Sequence, residues 1–152
     1  MVFPLPAPMR LALNAAARAA ITGEVPIGAV IMRGNDVIAT AANRTRVDHD
    51  PTGHAEIVAL RAAGVKLGTD RLIGCDLWVT LEPCAMCAGA ISHARIDRLF
   101  YGAGDPKGGG VEHGARVFSH PTCHHRPEVM SGLAEDEAVS LLRKFFAQRR
   151  IE

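Results

Sequence analysis

Residues 76–94 read DLWVTLEPCAMCAGAISHA, and this stretch decides the fold. Its first six residues are mostly aliphatic, aromatic or β-branched, which predicts a buried strand. Residues 84–94 have a composition compatible with a helix that follows almost directly. Because Pro is favoured at the first helical position, Pro83 predicts that the helix begins there. Cys84 and Cys87 would then lie on one face of its first turn, at a strand-to-helix junction where α/β folds tend to place ligands.

The remaining segments predict a mixed sheet flanked by helices. Gly23 ends the first helix, the turn at residues 33–36 joins two strands into a hairpin, and Gly64 is the candidate cap of the second helix. The other predicted elements are helices over residues 9–21, 54–63 and 134–150, strands over 25–32, 37–42, 96–101 and 129–130, and a loop over 102–127 with a short helical piece near 111–118. A loop of that length inside a compact domain is usually functional.

A second motif, His54-Ala55-Glu56, lies about thirty residues before the two cysteines. One imidazole and two thiolates are suitable ligands for Zn²⁺, and a catalytic zinc takes three protein ligands and keeps a fourth position for water. Glu56 is placed to move protons on and off that water. We therefore predict one Zn²⁺ per chain, held by His54, Cys84 and Cys87. This combination is typical of zinc-dependent nucleobase deaminases.

A purely structural zinc site is the main alternative interpretation of these ligands. Such a site needs a fourth protein ligand, usually Cys or His, and the candidates in the chain are Cys75, Cys123, His124 and His125. A structural site would give no reason for Glu56 beside the ligand. The segment of residues 122–125 is therefore interpreted as structural, with the three-ligand site complete without it.

Length and composition limit the number of domains, the kind of partner and the cellular compartment that the chain can be expected to have. The 152 residues suggest one domain spanning 1–152, and the net charge of +1 with a pI near 7.8 indicates no general affinity for polyanions. Four cysteines do not make a disulfide framework, so Cys75 and Cys123 are predicted to be reduced thiols in the cytoplasm. Residues 1–8 lack the pattern of a signal peptide, and no apolar stretch approaches the length of a membrane span.

With these motifs in place, the chain resembles bacterial tRNA-specific adenosine deaminases, within the cytidine-deaminase-like superfamily. The resemblance runs over residues 11–150, and its matching segments are residues 24–30, 50–56, 79–90, 94–96, 101–103, 105–109, 145–146 and 149–150. It implies a three-layer α-β-α fold with a five-stranded mixed sheet. It also implies homodimers, and a reaction that converts the wobble adenosine of a tRNA anticodon to inosine.

The resemblance also assigns roles to individual residues. His54, Cys84 and Cys87 match the zinc ligands, and Glu56 matches the proton shuttle. The residues matching those that contact the nucleotide are Asn43, which would hydrogen-bond it, Val25, Ile27 and Leu81, which would line the base pocket, and Asp105 at the rim that faces the nucleic acid. The chain departs from the family pattern at Gly53, because Ala is common in the family at the position before the ligand His. This difference alters no chemical group of the predicted site.

The substrate is less constrained by the sequence, because zinc and a glutamate serve adenine, cytosine and guanine alike. Single-stranded RNA is recognised by aromatic stacking and cationic side chains. The C-terminal helix supplies both, through Phe145, Phe146, Arg143, Lys144, Arg149 and Arg150. We expect Phe145 and Arg149 to contact a tRNA anticodon stem-loop, although a basic helix end can also serve only the helix dipole. The alternatives left open are a deaminase of a free base or nucleoside and a non-catalytic zinc-binding scaffold.

Overall fold

The computed structural model describes residues 4–151, with side chains to Arg149. Five strands form one sheet in the order β2-β1-β3-β4-β5. The strands are β1 (Gly28–Arg33), β2 (Asp36–Ala42), β3 (Cys75–Leu81), β4 (Arg98–Ala103) and β5 (Glu128–Met130), and the helices are α1 (Ala7–Ile21), α2 (Ala55–Leu67), α3 (Ala85–Ala94) and α4 (Glu135–Ile151). β1 is antiparallel to β2 and β3, whereas β3, β4 and β5 are mutually parallel. The predicted five-stranded mixed sheet is therefore confirmed.

The helices form a layer on each face of the sheet. α1 and α4 contact each other and one face, while α2 and α3 pack side by side on the other. β3 alternates between the two cores, because Leu77 and Val79 join the core beneath α2 and α3 whereas Trp78 joins the one beneath α1 and α4. This is the predicted three-layer α-β-α arrangement. No described helix is both long enough and apolar enough to span a membrane.

α1 approaches the sheet most closely at Gly28, the first residue of β1. A Cβ added at Gly28 would lie 1.9 Å from the carbonyl oxygen of Ala12, so only glycine allows the helix backbone to rest on the strand. The predicted start of this strand at residue 25 is wrong, since β1 begins only at Gly28. Val25 and Ile27 instead lie in the irregular segment that leads from α1 into the sheet.

The predicted caps of the two helices near the metal motifs are also corrected. α2 continues through Gly64 to Leu67, which packs against the core, and it ends at Gly68 with a left-handed φ of 67°. Pro83 is not the first helical residue, because Cys84 is the N-cap of α3 and the helix begins at Ala85. The strand predicted at residues 96–101 lies two residues later, at Arg98–Ala103, and the helical piece of the long loop is limited to Val117–Ser119.

Candidate active site

Three potential metal ligands converge where α2 and α3 begin. The Nδ1 atom of His54 lies 3.6 Å from Sγ of Cys84 and 3.5 Å from Sγ of Cys87. In a tetrahedral zinc site, Zn–N and Zn–S bonds of usual length place nitrogen and sulfur about 3.5 Å apart. The spacing and the soft N/S donor set therefore fit Zn²⁺. Within the described part of the chain, this is the one group of three His, Cys, Asp or Glu donors that lie within 4.8 Å of one another.

The two helix starts position these ligands. His54 is the N-cap of α2 and Cys84 is the N-cap of α3, both with extended backbone and neither making a side-chain capping hydrogen bond. Cys87 lies within the first turn of α3 and is fully buried. The partial positive charge at a helix N-terminus favours thiolate over thiol. Both helices therefore aim their electropositive ends at the same point.

The two thiols shift each other's pKa in opposite directions. The pKa of Cys84 is lowered to about 4, mainly by a hydrogen bond from Cys87, with a further hydrogen bond from His54 and an opposing contribution from burial. The pKa of Cys87 is raised, mainly because its S–H donates to Cys84 and also because it is buried. The Cys84 hydrogen bond raises the pKa of His54 in turn. The surroundings therefore favour the thiolate form of Cys84, which is the form that binds a metal ion.

Glu56 follows His54 by two residues, in the first turn of α2. Its side chain is buried, and burial is the main cause that raises its pKa from 4.5 to about 6. Its carboxyl group lies close enough to Cys87 for each group to shift the pKa of the other, which connects it to the ligand cluster. A carboxyl group whose pKa lies near neutral can both accept and return a proton. This is the property required of a proton shuttle.

The candidates for a fourth protein ligand are engaged elsewhere. Cys75 begins β3 and is buried in the core. Cys123 contacts Oγ of Ser92 at 3.4 Å, and Nε2 of His125 lies 2.7 Å from the carbonyl oxygen of Ile96. His124 packs against His93. These contacts connect the loop of residues 104–127 to the end of α3, in agreement with the structural interpretation of residues 122–125.

A cavity of about 490 Å³ brings together four of the predicted substrate residues. Val25, Ile27, Leu81 and Asp105 all line it. The other lining residues are Ala103, Gly104, Lys107, Val139, Leu142, Arg143 and Phe146. Sequence reasoning did not assign Lys107 or Leu142 to the site, although Lys107 lies two residues from Asp105. The cavity therefore has apolar walls with two cations and one carboxylate.

Asn43 lies beside this cavity rather than within its lining. It is buried, and its Nδ2 donates to Oε2 of Glu24 at 3.3 Å and to Oγ1 of Thr45 at 3.2 Å. Its side chain lines a separate cavity of about 510 Å³ beside α1 and β2. Its backbone N–H, however, donates to the carbonyl oxygen of Ile27 at 3.1 Å, which fixes that wall of the first cavity.

The structure does not place Phe145 and Arg149 in the cavity lining. Phe145 is only 4% exposed, whereas Phe146 is 45% exposed and is the aromatic residue of the cavity. The guanidinium of Arg149 lies 4.6 Å from the Phe145 ring and donates to the carbonyl oxygen of Gly23 at 2.9 Å. Helix α4 rotates successive residues by about 100°, so adjacent phenylalanines cannot share a face. The side chain of Arg150 lies outside the described part of the chain. Residues 1–3, which belong to the segment of the signal-peptide prediction, lie outside it as well.

Comparisons with known proteins agree with this geometry. The MafB19-like deaminase family matches residues 6–150. The chain is 58% identical over 144 residues to the tRNA-specific adenosine deaminase of Agrobacterium fabrum, covering 95% of each chain. It is 43% identical to the corresponding protein of Haemophilus influenzae, over 95% of this chain and 84% of that one.

Solved structures show the same fold. One of them comes from work on A-to-I editing by tRNA:A34 deaminases at the wobble position of transfer RNA. It superimposes with a TM-score of 0.87 and is 59% identical in sequence, and the match covers 89% of this chain and 98% of the other. Another, a guanine deaminase from Nitrosomonas europaea, gives a TM-score of 0.76 at 27% identity, over 97% of this chain and 87% of the other.

Proposed function

Because this chain belongs to the family of the tRNA-specific adenosine deaminases, we propose that it converts the wobble adenosine of a tRNA anticodon to inosine by zinc-dependent hydrolytic deamination. The observation that carries the proposal is the convergence of His54, Cys84 and Cys87 beside the buried carboxyl group of Glu56. A non-catalytic zinc scaffold would have no use for a buried acid whose pKa lies near neutral.

The chain's own residues divide the chemistry between them. His54, Cys84 and Cys87 would hold the zinc, which would supply an activated water at neutral pH. Glu56 would carry the first proton of the attacking water to the ring nitrogen. It would then carry the remaining proton of the added hydroxyl to the amine, so that the C–N bond breaks, the carbonyl forms and ammonia departs. Val25, Ile27 and Leu81 bury the faces of the base, which has to leave its stack in the RNA. Asn43, which lies beside this pocket rather than in its lining, would orient the nucleotide from outside it.

The rim of the cavity favours an RNA substrate over a free base. Lys107 and Arg143 line the cavity, and neither forms an ion pair with any residue that the structure describes. Phe146 offers an exposed ring on which a neighbouring base can stack. A free-base deaminase would have no phosphate to place against these cations. Asp105 completes the rim, Arg149 adds an exposed cation beyond it, and Phe145 acts only by supporting α4.

A direct assay separates the candidate substrates. Purified zinc-loaded protein is incubated with an anticodon stem-loop that carries adenosine at the wobble position, and in parallel with free adenosine, guanine and cytosine. Inosine is expected only in the stem-loop. A matched control is the same stem-loop with adenosine moved one position along the anticodon, which should remain unchanged. Conversion of a free base with no reaction of the stem-loop would refute the RNA proposal.

The proposed assembly is a cytoplasmic homodimer of a single deaminase domain spanning residues 1–152. A groove of about 980 Å³ between α2 and α3 supports it, since its lining includes Ile57, Leu60, Leu72 and Val65, of which Val65 is 85% exposed. An exposed valine beside an apolar wall is a feature that a subunit interface would bury. Sedimentation at micromolar concentration should give twice the chain mass of 16.2 kDa, and Val65→Glu should shift it towards the monomer.

A further inference from the structure

One buried carboxylate near the metal ligands has no place in the proposed chemistry. Glu82 follows β3 directly and lies two residues before Cys84, and its side chain is completely buried. It does not belong to the cluster of metal donors. Burying a carboxylate is strongly unfavourable unless it is paired and hydrogen-bonded, so its partners indicate what it does.

All the hydrogen-bond partners of the Glu82 side chain come from the loop that follows β4. Its Oε1 accepts from the backbone N–H of Asp105 at 3.0 Å and lies 2.6 Å from Nδ1 of His113. Its Oε2 accepts from the backbone N–H groups of Val111, Glu112 and His113 at 3.0–3.1 Å. A single carboxylate therefore organises both ends of the segment from Asp105 to His113.

The glycine run at residues 108–110 makes this arrangement possible. A Cβ added at Gly109 would lie 2.4 Å from Oε2 of Glu82, and one at Gly110 would lie 2.5 Å from the backbone nitrogen of Ala85. Gly110 also donates its N–H to the carbonyl oxygen of Pro83 at 2.8 Å. The loop can therefore rest against both the carboxylate and the start of α3.

The same segment forms the rim of the cavity. Asp105 and Lys107 line the cavity, and Oδ1 of Asp105 accepts from the backbone N–H groups of Lys107 at 3.1 Å and Gly108 at 3.0 Å. The Asp105 turn is therefore fixed internally by its own side chain. The backbone N–H of Asp105 donates to Glu82, and this bond connects the turn to the segment that carries Cys84 and Cys87.

We propose that Glu82 is a positioning residue that holds the Asp105–Lys107 rim in register with the metal ligands, and that it governs substrate affinity without touching substrate or metal. The kinetic part of its test depends on the proposed function, whereas the exchange part does not.

The substitution Glu82→Gln tests this, because one oxygen becomes an NH₂ group that cannot accept. Nδ1 of His113 can accept in its other tautomer. The least unfavourable orientation therefore places the NH₂ at the Oε1 position, which leaves the Asp105 N–H without an acceptor. Hydrogen exchange of the Asp105 amide should accelerate by about tenfold or more, as expected for the loss of a hydrogen bond to a charged acceptor. The amides of residues 111–113 should change less.

The kinetic consequence should appear in KM for the stem-loop rather than in kcat. KM is expected to rise by about tenfold, with kcat within about threefold of the wild-type value and one zinc retained per chain. Asp76→Asn is the matched control, since Asp76 is another buried carboxylate of β3, paired with Arg98 at the opposite end of the strand. This control should leave both KM and Asp105 exchange unchanged.

The outcomes separate clearly. Unchanged Asp105 exchange in Glu82→Gln overturns the proposal, as does an equal rise of KM in Asp76→Asn or a loss of zinc. If Glu82→Gln does not fold, His113→Ala removes a single donor at a half-exposed position. It should raise KM by about threefold with zinc retained, and an unchanged KM again overturns the proposal. If the wild-type protein does not react with the stem-loop, the proposed function fails, and Asp105 exchange alone decides the role of Glu82.

Discussion

Replacing Glu56 by Gln is expected to stabilise the metal-free protein while removing most of its activity. Burial raises the pKa of Glu56 from 4.5 to about 6. A rise of this size corresponds to about 2 kcal/mol of lost stability when the group is ionised, at about 1.36 kcal/mol per pKa unit. Gln has nearly the same shape as Glu and carries no charge.

The sign of the pH dependence follows from the direction of the shift. The folded protein binds the Glu56 proton more tightly than the unfolded chain does, so the free energy of unfolding falls as the pH rises through the interval between 4.5 and about 6. The stability advantage of Glu56→Gln over wild type should therefore grow by about 1 kcal/mol from about pH 5 to about pH 7.5. Urea unfolding of the zinc-stripped proteins measures it, with Glu128→Gln as the exposed control.

Zinc-loaded Glu56→Gln should lose a factor of about 10² or more in turnover, because Gln cannot carry the proton. Two results would refute the reasoning. A stability difference that is the same at both pH values would mean that the carboxyl group is not desolvated. Near-normal turnover with zinc retained would mean that another group moves the proton.

Three further predictions concern the metal, the cavity and the end of α4. Cys87→Ser should abolish both zinc binding and turnover, whereas Cys123→Ser should retain one zinc per chain by elemental analysis. Phe146→Ala should weaken stem-loop binding by about 1–3 kcal/mol in a titration, the usual value of one base–aromatic stack, with little change in thermal stability. Arg149→Ala should lower the free energy of unfolding by about 1 kcal/mol through the lost bond to Gly23. An unchanged salt slope of stem-loop binding would limit Arg149 to that structural role.

The metal centre could be predicted from the sequence because its ligands are set by short spacings. Cys84 and Cys87 fall within one helical turn wherever the helix begins, so the error about Pro83 did not affect them. A mixed sheet flanked by helices could be expected from a hairpin followed by alternating helices and strands. The end of α2 could not be predicted from the sequence, because Gly64 is a plausible helix cap when only its neighbours are considered. The helix continues to Leu67 because that side chain packs against the core.

Features that depend on contacts between distant segments were missed. Phe145 and Phe146 are adjacent and of the same residue type, so only the packing of α4 decides which of them is buried. No local pattern marks Glu82, whose donors lie 23 to 31 residues further along the chain. Asn43 was identified by resemblance, yet its hydrogen bonds to Glu24 and Thr45 are visible only in the folded chain.

His54 and Cys84 occupy helix N-cap positions, where the residue best for helix stability differs from the residue needed to bind the metal. Ser, Thr, Asp or Asn at an N-cap typically contributes about 1 kcal/mol, and neither His54 nor Cys84 makes that hydrogen bond. Directed evolution of this protein for heat resistance, without selection for turnover, should therefore favour Asp or Ser at these sites. The resulting variants would be well-folded proteins from which the reaction centre had disappeared.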